Sequence, residues 1–389
     1  MNSPRRNHKI IRTSTVALSL NVLLKGQLAF LNSVFEVIAV SGEGSDLQEV
    51  QEREKVAVRE VTMSRTISVF KDLHSLWKLY RLFRKEKPVI IHSITPKAGL
   101  LTMLAGKLAG VPIRIHTFTG LIFPSKTGAL QKLLISMDRL LCWAATNIYP
   151  EGNGVKNDLL KYKITKKQLK VIGNGNVNGI DTAYFDPSSI SKETRNALRL
   201  KLGISANDFV FIFVGRIVAD KGINELIAAF KSFDATYPCK LLLVGNFEQE
   251  LDPVLPAVAE EIKENENIIH VGYQPNVRDF YAISDAFVFP SYREGFPNVV
   301  LQAGAMSLPS LVTDINGSNE IIIPGENGII IPPKDVQALQ NAMIEILRDK
   351  ALYSRLQRHA RLMISSRYEQ PFVWNELVKE YNLLLSKKI

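Results

Sequence analysis

The segment Phe209-Val-Phe-Ile-Phe-Val-Gly215-Arg216-Ile-Val-Ala-Asp-Lys221-Gly222 decides the fold of the second half of the chain. Its first six residues are all apolar and predict a buried strand, and a helical pattern follows the glycine turn from about residue 223. Gly215 lets the backbone approach a ligand, and the helix amino terminus offers free N–H groups and a positive dipole end. Arg216 and Lys221 add two cations. The segment therefore predicts a polyanion site; the alternative is that both cations are solvated residues beside a tight turn.

The same rhythm runs along the whole chain, with short apolar segments alternating with amphipathic segments of helix length. This alternation predicts βαβ units and parallel sheets. Strands are predicted at residues 9–16, 35–40, 56–61, 89–92, 113–117, 146–149, 169–172, 209–214, 240–244, 268–271, 286–289 and 310–313. Helices are predicted at 70–85 and 97–109, and residues 335–386 are predicted to be consecutive helices. The fold class is α/β, with two Rossmann-like, doubly wound parallel-sheet domains and C-terminal helices.

The chain has 389 residues, too many for one ordinary hydrophobic core. Residues 173–189 are dense in Gly, Asn, Asp and Pro, which is typical of a loop, and we place the domain junction there. We expect an N-terminal domain at residues 1–180 and a C-terminal domain at 181–370. We expect a last helix at residues 371–389, and this helix is a candidate to pack back against the first domain.

The composition is that of a soluble globular protein, because 46% of the residues are hydrophobic and 22% are charged. Cys142 and Cys239 are isolated from other metal-ligating residues, so we expect reduced, buried, cytosolic thiols. A basic start and an apolar-leaning stretch at 13–24 raise the question of a signal peptide, but polar residues and the lack of a small-residue cleavage site favour a first strand. No run of 18 apolar residues predicts a membrane-spanning helix.

The net charge of +10 is concentrated in the first half of the chain. Residues 1–190 contain 27 Lys and Arg against 14 Asp and Glu, whereas the remainder contains 21 against 24. A basic domain suits anionic lipid, a phosphorylated acceptor or nucleic acid. Nucleic acid is disfavoured, because the cations are scattered and no zinc finger, RNP-like signature or arginine-rich arm is present.

The segment 71–87 carries an apolar stripe, including Leu73 and Trp77, against six basic residues. Such a helix suits an anionic lipid surface, and the alternative is that it packs its stripe on the sheet. A further cluster consists of Lys156, Lys161, Lys163, Lys166, Lys167 and Lys170. With this cluster, the sequence favours a cytoplasmic protein attached peripherally to the inner face of the plasma membrane.

A second loop with a candidate site follows the predicted strand 286–289 and reads Pro290-Ser-Tyr-Arg-Glu294-Gly295-Phe296-Pro297-Asn298. Pro297 suits the first turn of a helix, so backbone amides near residues 296–299 can face an anion. A carboxylate beside a phosphate is unfavourable unless it binds another group, and Glu294 suits paired sugar hydroxyls. The alternative is that Glu294 caps the helix.

Two sequence patterns are absent, and their absence limits which metal and cofactor sites we expect. No two aspartates lie two residues apart, so the Asp-x-Asp metal clamp of many nucleotide-sugar enzymes is absent from the sequence. We therefore expect no metal site, and diphosphate charge met by protein donors alone. Gly173, Gly175 and Gly179 have the wrong spacing for a dinucleotide fingerprint, so no NAD cofactor is expected.

Taken together, these motifs resemble retaining glycosyltransferases of family 4, which have the GT-B fold. The resemblance is carried by Gly215-Arg216 with Lys221-Gly222, residues 294–297, the loop 317–320 followed by Asn327-Gly328, and Asn178-Gly179-Ile180-Asp181 with Phe185. In the first half, residues 92–99 and 116–120 look like a bacterial capsular and exopolysaccharide branch. The resemblance implies two domains that face each other across a cleft, with the acceptor bound by the first and the donor by the second.

The family also implies roles for individual residues. Arg216 and Lys221 would hold the donor diphosphate, and Glu294 would contact the donor sugar. The donor-binding set is Gly215, Arg216, Lys221, Glu294, Gly295, Phe296, Pro297, Asn298 and Gln302. Gln302 stands where the family has a second glutamate, and an amide still bonds hydroxyls but carries no charge.

Several residues of the first half are further candidates. Many relatives have a histidine where this chain has Thr119, and His116 lies three residues earlier. His116 is therefore a candidate catalytic residue beside Arg216, Lys221 and Glu294; the alternative for His116, and for His92, is a histidine satisfied at a strand end. Lys25, Lys97 and Thr119 are placed on the acceptor or phosphate side, with surface solvation as the alternative for the two lysines.

The function implied is retaining transfer of a sugar from a nucleotide-sugar, with UDP favoured as the nucleotide, to a glycan or polyprenyl-linked acceptor in surface polysaccharide biosynthesis. The departing phosphate can receive the acceptor proton, so catalysis rests on stabilising the leaving group. No cofactor is expected. The alternatives are a nucleotide-sugar 2-epimerase of similar fold and a non-catalytic sugar-nucleotide-binding protein.

Overall fold

The structure is a computed structural model, and it describes residues 8–64, 68–233, 238–248, 250 and 252–387. The chain divides into two compact units, Met1–Gly179 with Gln370–Ile389, and Ile180–Glu369. The last helix therefore belongs to the first unit. The boundaries expected from sequence, after residues 180 and 370, differ from this division by one residue each.

The first unit alternates strands and helices along the chain. Its elements up to the junction are β1 (Lys9–Thr13), α1 (Ala17–Leu23), α2 (Gln27–Val34), β2 (Glu36–Ser41), α3 (Ser45–Glu54), β3 (Ala57–Glu60), α4 (Val69–Glu86), β4 (Ile90–Ser93), α5 (Pro96–Leu108), β5 (Ile113–Phe118), α6 (Gly128–Ala144), β6 (Asn147–Pro150) and α7 (Asn153–Lys161). Within the described residues, the six strands form one parallel sheet in the order β3-β2-β1-β4-β5-β6.

The second unit repeats the architecture and adds helices at its end. Its elements are α8 (Lys192–Lys201), β7 (Phe209–Val214), α9 (Ile223–Lys231), β8 (Cys239–Val244), α10 (Pro256–Glu264), β9 (Ile268–His270), α11 (Arg278–Ala282), β10 (Ala286–Phe289), α12 (Asn298–Ala305), β11 (Ser310–Thr313), α13 (Ser318–Ile321), β12 (Gly328–Ile331), α14 (Val336–Arg348) and α15 (Lys350–Tyr368). The described strands form a parallel sheet in the order β12-β11-β10-β7-β8-β9. Helix α16 (Gln370–Ser386) then returns to the first unit.

The fold class predicted from the sequence is confirmed, because both sheets are parallel and doubly wound. Strands run as continuous apolar segments because helices cover both faces of each sheet. In the first unit, α4, α5 and α6 share one buried cluster, which includes Leu79, Met103 and Leu141. Residues of α1, α2, α3 and α16 share the cluster on the other face.

Two strand predictions need correction. Residues 169–172 are not a strand; Leu169 makes a single parallel bridge to Ile148 beside the edge strand β6. Strand β12 (Gly328–Ile331) was not predicted, because it directly follows a loop-like Gly-Glu-Asn sequence and begins with a glycine. It exists because it pairs along the length of β11.

Both cysteine thiols are buried, as predicted, and neither is in a disulfide. Burial raises the pKa of Cys142 to about 12 and that of Cys239 to about 11. Among the described residues, no helix combines the length and the apolar character needed to cross a bilayer.

Candidate functional site

The core of the candidate site is the meeting of two loops at the carboxyl edge of the second sheet. The turn after β7 carries Lys221 in a single 3-10 turn just before α9, and the loop after β10 carries Glu294. Lys221 Nζ donates to Glu294 Oε1 in an ion pair, and both side chains are about five-sixths buried. The ammonium group also lies 5.7 Å from the centroid of the Phe289 ring. The structure thus brings together two residues that the sequence singled out separately.

Gly222 makes this approach possible. Its φ is +71°, in the left-handed region, and a Cβ at this position would lie 2.1 Å from the Pro290 carbonyl oxygen. Any side chain at residue 222 would push the two loops apart. The position of Lys221 opposite Glu294 therefore depends on a glycine next to it.

Glu294 is held on its own loop by a second hydrogen bond. Ser291 Oγ donates to Glu294 Oε1 at 2.8 Å, and the Ser291 carbonyl accepts a hydrogen bond from Thr313 Oγ1 at the end of β11. Glu294 does not cap α12, because no side chain caps that helix and the residue before it is Pro297. The capping alternative is therefore wrong.

Arg216 lies directly after Gly215 at the end of β7. Arg216 Nη1 donates to Glu248 Oε2 at 2.6 Å, and the two side chains are 48% and 36% exposed. This partner was not predicted, since nothing in the sequence links residue 248 to the turn 32 residues earlier. Both candidate phosphate-binding cations are thus paired with a carboxylate in this structure, and the pair of Arg216 is the more solvated one.

The remaining donor-side candidates lie on or beside α12. Phe296 is buried, and its ring meets that of Tyr368 edge to face with centroids 5.5 Å apart, so its side chain is part of the core. Asn298 is the first residue of α12, one position after Pro297. Gln302 Oε1 lies 3.4 Å from the Tyr281 hydroxyl, a weak hydrogen bond.

Gly317 connects a third loop to this group. It precedes α13 with a φ of +76°, and a Cβ there would lie 2.4 Å from the Gly295 carbonyl oxygen. The loops after β7, β10 and β11 therefore converge on residues 290–297. In open parallel sheets this carboxyl edge is where ligands bind.

Acidic residues of α9 and of the loop after β8 contact the two candidate loops. The Tyr292 hydroxyl donates to Glu225 Oε1 at 2.6 Å, and the Asp220 backbone N–H donates to Asp252 Oδ2 at 2.6 Å. Burial is the largest cause that raises the pKa of the Tyr292 hydroxyl, and the hydrogen bond to Glu225 is the second. Tyr292 therefore stays neutral and donates this hydrogen bond. Among the described residues no group of three or more His, Cys, Asp or Glu side chains is arranged to hold a metal ion.

In the first unit, Lys97 lies in the first turn of α5, Thr119 follows β5 directly, His116 lies within β5, and Lys25 lies just before α2. Lys97 is not a solvated surface residue, because its ammonium is largely buried and lies 2.6 Å from Asp72 Oδ1. The Thr119 hydroxyl donates to the Ile94 carbonyl at 2.9 Å and links the loops after β4 and β5. Lys25 is exposed, and its carbonyl accepts a hydrogen bond from Asn178.

His116 is buried within the first unit. A 2.8 Å hydrogen bond joins His116 Nδ1 to Ser93 Oγ, and a Cβ on Gly99 would lie 2.5 Å from His116 Cε1. The ring is thus packed beneath α5, with 1% of the residue exposed. Burial lowers the pKa of His116 to about 3, so it is neutral at physiological pH. This environment matches the alternative of a satisfied strand-end histidine; a catalytic role stays a prediction.

His92 belongs to a buried polar network that the sequence did not reveal. Its Nδ1 lies 2.7 Å from the Tyr381 hydroxyl and its Nε2 lies 2.7 Å from Thr117 Oγ1. Arg12 Nη1 donates to Tyr381 and to Gln27 Oε1, so this network fastens α16 to the sheet. Burial and the neighbouring Arg12 charge lower the pKa of His92.

Comparison with known proteins identifies the family. Residues 194–363 match the model "Glycosyl transferases group 1", and residues 29–175 match "Glycosyl transferase 4-like domain". The chain is 32% identical over 386 residues to the capsular polysaccharide biosynthesis glycosyltransferase CapM of Staphylococcus aureus, covering 98% of this chain and 99% of the relative. It is 27% identical over 325 residues to an Escherichia coli enzyme named UDP-Gal:alpha-D-GlcNAc-diphosphoundecaprenol alpha-1,3-galactosyltransferase, covering 82% of each chain.

A solved structure shows the same fold at low identity. The crystal structure of Anabaena HepE in complex with UDP and glucose superposes with a TM-score of 0.81 at 17% identity, covering 97% of this chain and all of HepE. Family models match both halves of the chain, and the 32% identity to CapM extends over 98% of this chain. The chain therefore belongs to the family 4 glycosyltransferases and has their GT-B fold.

Proposed function

We propose that the protein is a retaining glycosyltransferase that moves a sugar from a UDP-sugar to a lipid-linked or glycan acceptor in surface polysaccharide biosynthesis, without a metal ion. The observation that carries the proposal is the placement of Arg216, Lys221 and Glu294 on neighbouring loops at one sheet edge. The proposal is supported by three similar proteins: CapM acts in capsular polysaccharide biosynthesis, the galactosyltransferase uses UDP-Gal and a diphosphoundecaprenol-linked acceptor, and HepE binds UDP.

The proposed chemistry uses the two cations as charge stabilisers. As the bond between the anomeric carbon and the diphosphate breaks, negative charge grows on the leaving phosphate, and Arg216 and Lys221 lower the free energy of that state more than that of the bound donor. The acceptor hydroxyl oxygen bonds to the anomeric carbon on the face from which the diphosphate leaves, and the leaving phosphate takes the hydroxyl proton, so the anomeric configuration is retained.

Glu294 serves two purposes in this scheme. Its carboxylate accepts hydrogen bonds from donor sugar hydroxyls, and in the absence of donor it neutralises Lys221. Donor diphosphate competes for Lys221, so binding exchanges one anionic partner for another. The absence of an Asp-x-Asp sequence is the support for metal independence.

The first experiment tests nucleotide recognition and metal dependence. Purified protein is heated with UDP, GDP or ADP, and we expect UDP to raise the melting temperature, since a ligand that binds only the native state stabilises it. Transfer from UDP-sugars to membrane extracts is then measured with EDTA and with added manganese. Activity that disappears with EDTA and returns with manganese would contradict the metal-free scheme.

A second experiment separates transfer from the alternatives. UDP-sugars are incubated with the enzyme without acceptor, and the anomeric and C2 configurations are followed by proton NMR. A 2-epimerase converts the donor under these conditions, whereas a transferase produces an α-linked product from an α-linked donor once acceptor is added. A protein that binds UDP but does neither would be the non-catalytic alternative.

The lysine-rich first half also supports placement at the cytoplasmic face of the membrane, where a lipid-linked acceptor is presented. The lysine cluster between residues 156 and 170 contributes less free positive charge than its sequence implies, because two of its members have partners in the structure. Lys167 Nζ donates to the Cys142 carbonyl at the end of α6, and Lys170 is paired with Glu380. These two lysines therefore add little free positive charge to a membrane-facing surface.

A further inference from the structure

Helices α4, α5 and α6 form a layer over one face of the first sheet, and the outer side of this layer is unusually apolar. Helix α5 packs between the other two, and residues of all three join one buried cluster. Leu79 and Phe83 of α4 and Leu141 of α6 point into that cluster. Each helix therefore packs one side against the sheet, and its opposite side is not covered by other residues that the structure describes.

Helix α6 carries an exposed apolar stripe on that outer side. Leu130, Leu133, Leu140 and Trp143 are each between 43% and 59% exposed. At about 100° per residue, Leu133, Leu140 and Trp143 lie within about 80° of one another around the helix and form a stripe that suits packing against another surface, whereas Leu130 lies apart in the first turn. None of these residues was singled out from the sequence.

Helix α4 carries a second exposed set at helical spacing. Phe70 is 86% exposed, and Leu73 and Trp77 are more than half exposed. The stripe noted in the sequence is thus divided: its Leu76 and Tyr80 pack against the core, whereas Leu73 and Trp77 do not. Two helices of one layer therefore present large apolar side chains to solvent, which marks an interaction surface.

The charges around these side chains are positive. Lys71, Lys78, Arg84 and Lys85 on α4 and Lys126 and Lys132 near α6 have no ion-pair partner among the residues that the structure describes. The Arg81 guanidinium lies 4.8 Å from the Trp77 ring centroid, and Lys107 Nζ lies 3.7 Å from that of Trp143. Cations placed beside interfacial tryptophans match the headgroup region of an anionic bilayer.

The acidic residues of the layer do not offset this charge. Asp72 is paired with Lys97, and Glu86 is paired with both Lys9 and Arg59. Asp138 of α6 is largely buried, and burial raises its pKa to about 7. A second copy of the same face would bring like charges together, so charge complementarity favours an anionic lipid surface over self-association.

The orientation of the two helices relates this face to the acceptor side of the unit. Asp72 at the start of α4 pairs with Lys97 at the start of α5, directly after β4, whereas Glu86 at the end of α4 pairs with Lys9 at the start of β1. The amino-terminal turns of α4, with Phe70 and Leu73, therefore lie at the carboxyl edge of the sheet. Leu130 and Leu133 lie in the corresponding turns of α6.

We propose that the outer surfaces of α4 and α6 form one docking face for an anionic lipid bilayer, with Leu133, Leu140 and Trp143 of α6 entering the headgroup region beside Phe70, Leu73 and Trp77 of α4. The inference rests on the proposed function in one respect, the lipid-linked acceptor. Docking through this face lays the helices along the lipid surface, from the carboxyl edge of the first sheet near Phe70 and Leu133 to the opposite edge near Trp143, and a lipid-linked acceptor would be held at the carboxyl edge.

The test uses the full chain with vesicles of phosphatidylcholine alone or of phosphatidylcholine mixed with anionic phosphatidylglycerol. We expect binding to the anionic vesicles that weakens with added salt. The double variant Leu133→Glu/Leu140→Glu is expected to reduce binding about tenfold or more, because two leucines no longer enter the bilayer. Leu200→Glu is the matched control, since Leu200 is 83% exposed and lies on α8 of the other unit.

A second readout does not depend on the double variant. The chain has three tryptophans, so Trp77→Phe/Trp374→Phe leaves Trp143 as the reporter. Brominated phosphatidylcholine in the anionic vesicles is expected to quench Trp143 fluorescence. Lys126→Gln/Lys132→Gln is expected to weaken binding by about fivefold per lysine near the surface.

Three results would overturn the proposal: unchanged vesicle binding in Leu133→Glu/Leu140→Glu, no quenching of Trp143, or a dimer in lipid-free solution that the double variant dissociates. UDP-induced thermal stabilisation is measured on the same samples and is expected to be equal in wild type and variants. Failure of UDP to bind the wild-type protein would count against the proposed function and leave the vesicle result to stand by itself.

Discussion

Lys221 and Glu294 are 73 residues apart in the sequence and form an ion pair at the carboxyl edge of the second sheet, with 15% and 17% of their side chains exposed. Removing one partner of such a sheltered ion pair lowers the stability of the fold, because the remaining charge has neither its partner nor full hydration. A ligand that takes Lys221 must therefore offer an anion of its own, and Glu294 must then find hydroxyl donors. A nucleotide diphosphate linked to a sugar offers both.

Replacing Lys221 is expected to slow catalysis and also to lower stability, because the sheltered Glu294 carboxylate is left without its cation. Lys221→Met removes a cation from the leaving phosphate, and by analogy with the loss of one oxyanion donor we expect kcat/KM to fall about 10²–10³-fold. Lys231→Met is the control, because Lys231 lies in the same unit and is paired with Glu261 on the surface. Steady-state kinetics with a UDP-sugar check this, and a loss of less than fivefold would remove Lys221 from the leaving-group site.

Glu248 is expected to compete with the donor for Arg216. In Glu248→Gln the guanidinium loses its 2.6 Å ionic partner, so the KM for donor should fall. The effect is expected to be up to about fivefold, because exposed ion pairs contribute about 0–1 kcal/mol. Glu261→Gln, which breaks the surface pair with Lys231, should leave KM unchanged. A KM that rises in Glu248→Gln would mean that Glu248 supports donor binding instead.

The sequence predicted most of the fold because buried parallel strands are continuous apolar segments, which need no knowledge of their neighbours. Residues 209–214 illustrate this, since the predicted and observed bounds of β7 coincide. The predictions are wrong or incomplete where pairing with a distant strand decides. Leu169 has one bridge at a sheet edge and extends no further, whereas Gly328–Ile331 becomes a strand by pairing with β11.

The candidate site was predictable to a similar degree and for a similar reason. Arg216, Lys221 and Glu294 each follow a buried strand, and the carboxyl ends of parallel strands share one edge. The carboxylate that pairs with Arg216 was not predictable, because Glu248 lies in a loop without a recognisable motif. The burial of His116 was hidden as well, since it depends on the missing side chain of Gly99 in the helix above it.

Gly222 offers a test of how the two loops are positioned. Gly222→Ala is expected to destabilise the second unit by about 1–2 kcal/mol for the left-handed conformation, and by about 1–3 kcal/mol more for the contact with the Pro290 carbonyl. Gly203→Ala is a matched control, because Gly203 has a φ of +67° and open space around its missing Cβ. Urea unfolding and the thermal shift with UDP measure both effects, and equal losses in the two variants would show that the close approach to Pro290 carries no energetic weight.

His116 should reveal its role through the pH dependence of stability. Its folded pKa, about 3, lies below the value near 6.5 expected in the unfolded chain, so the unfolded state binds more protons as the pH falls below 6.5. This residue therefore contributes to stability above pH 6.5, and that contribution is lost as the pH falls toward 3, by at most about 5 kcal/mol. We expect His116→Gln to be less stable than wild type at pH 8 and the difference to shrink as the pH falls, as urea unfolding at a series of pH values would measure. A gap that stays constant for His116→Gln, together with a lost alkaline or acidic limb in the activity profile, would instead favour an accessible catalytic imidazole over a buried strand-end histidine.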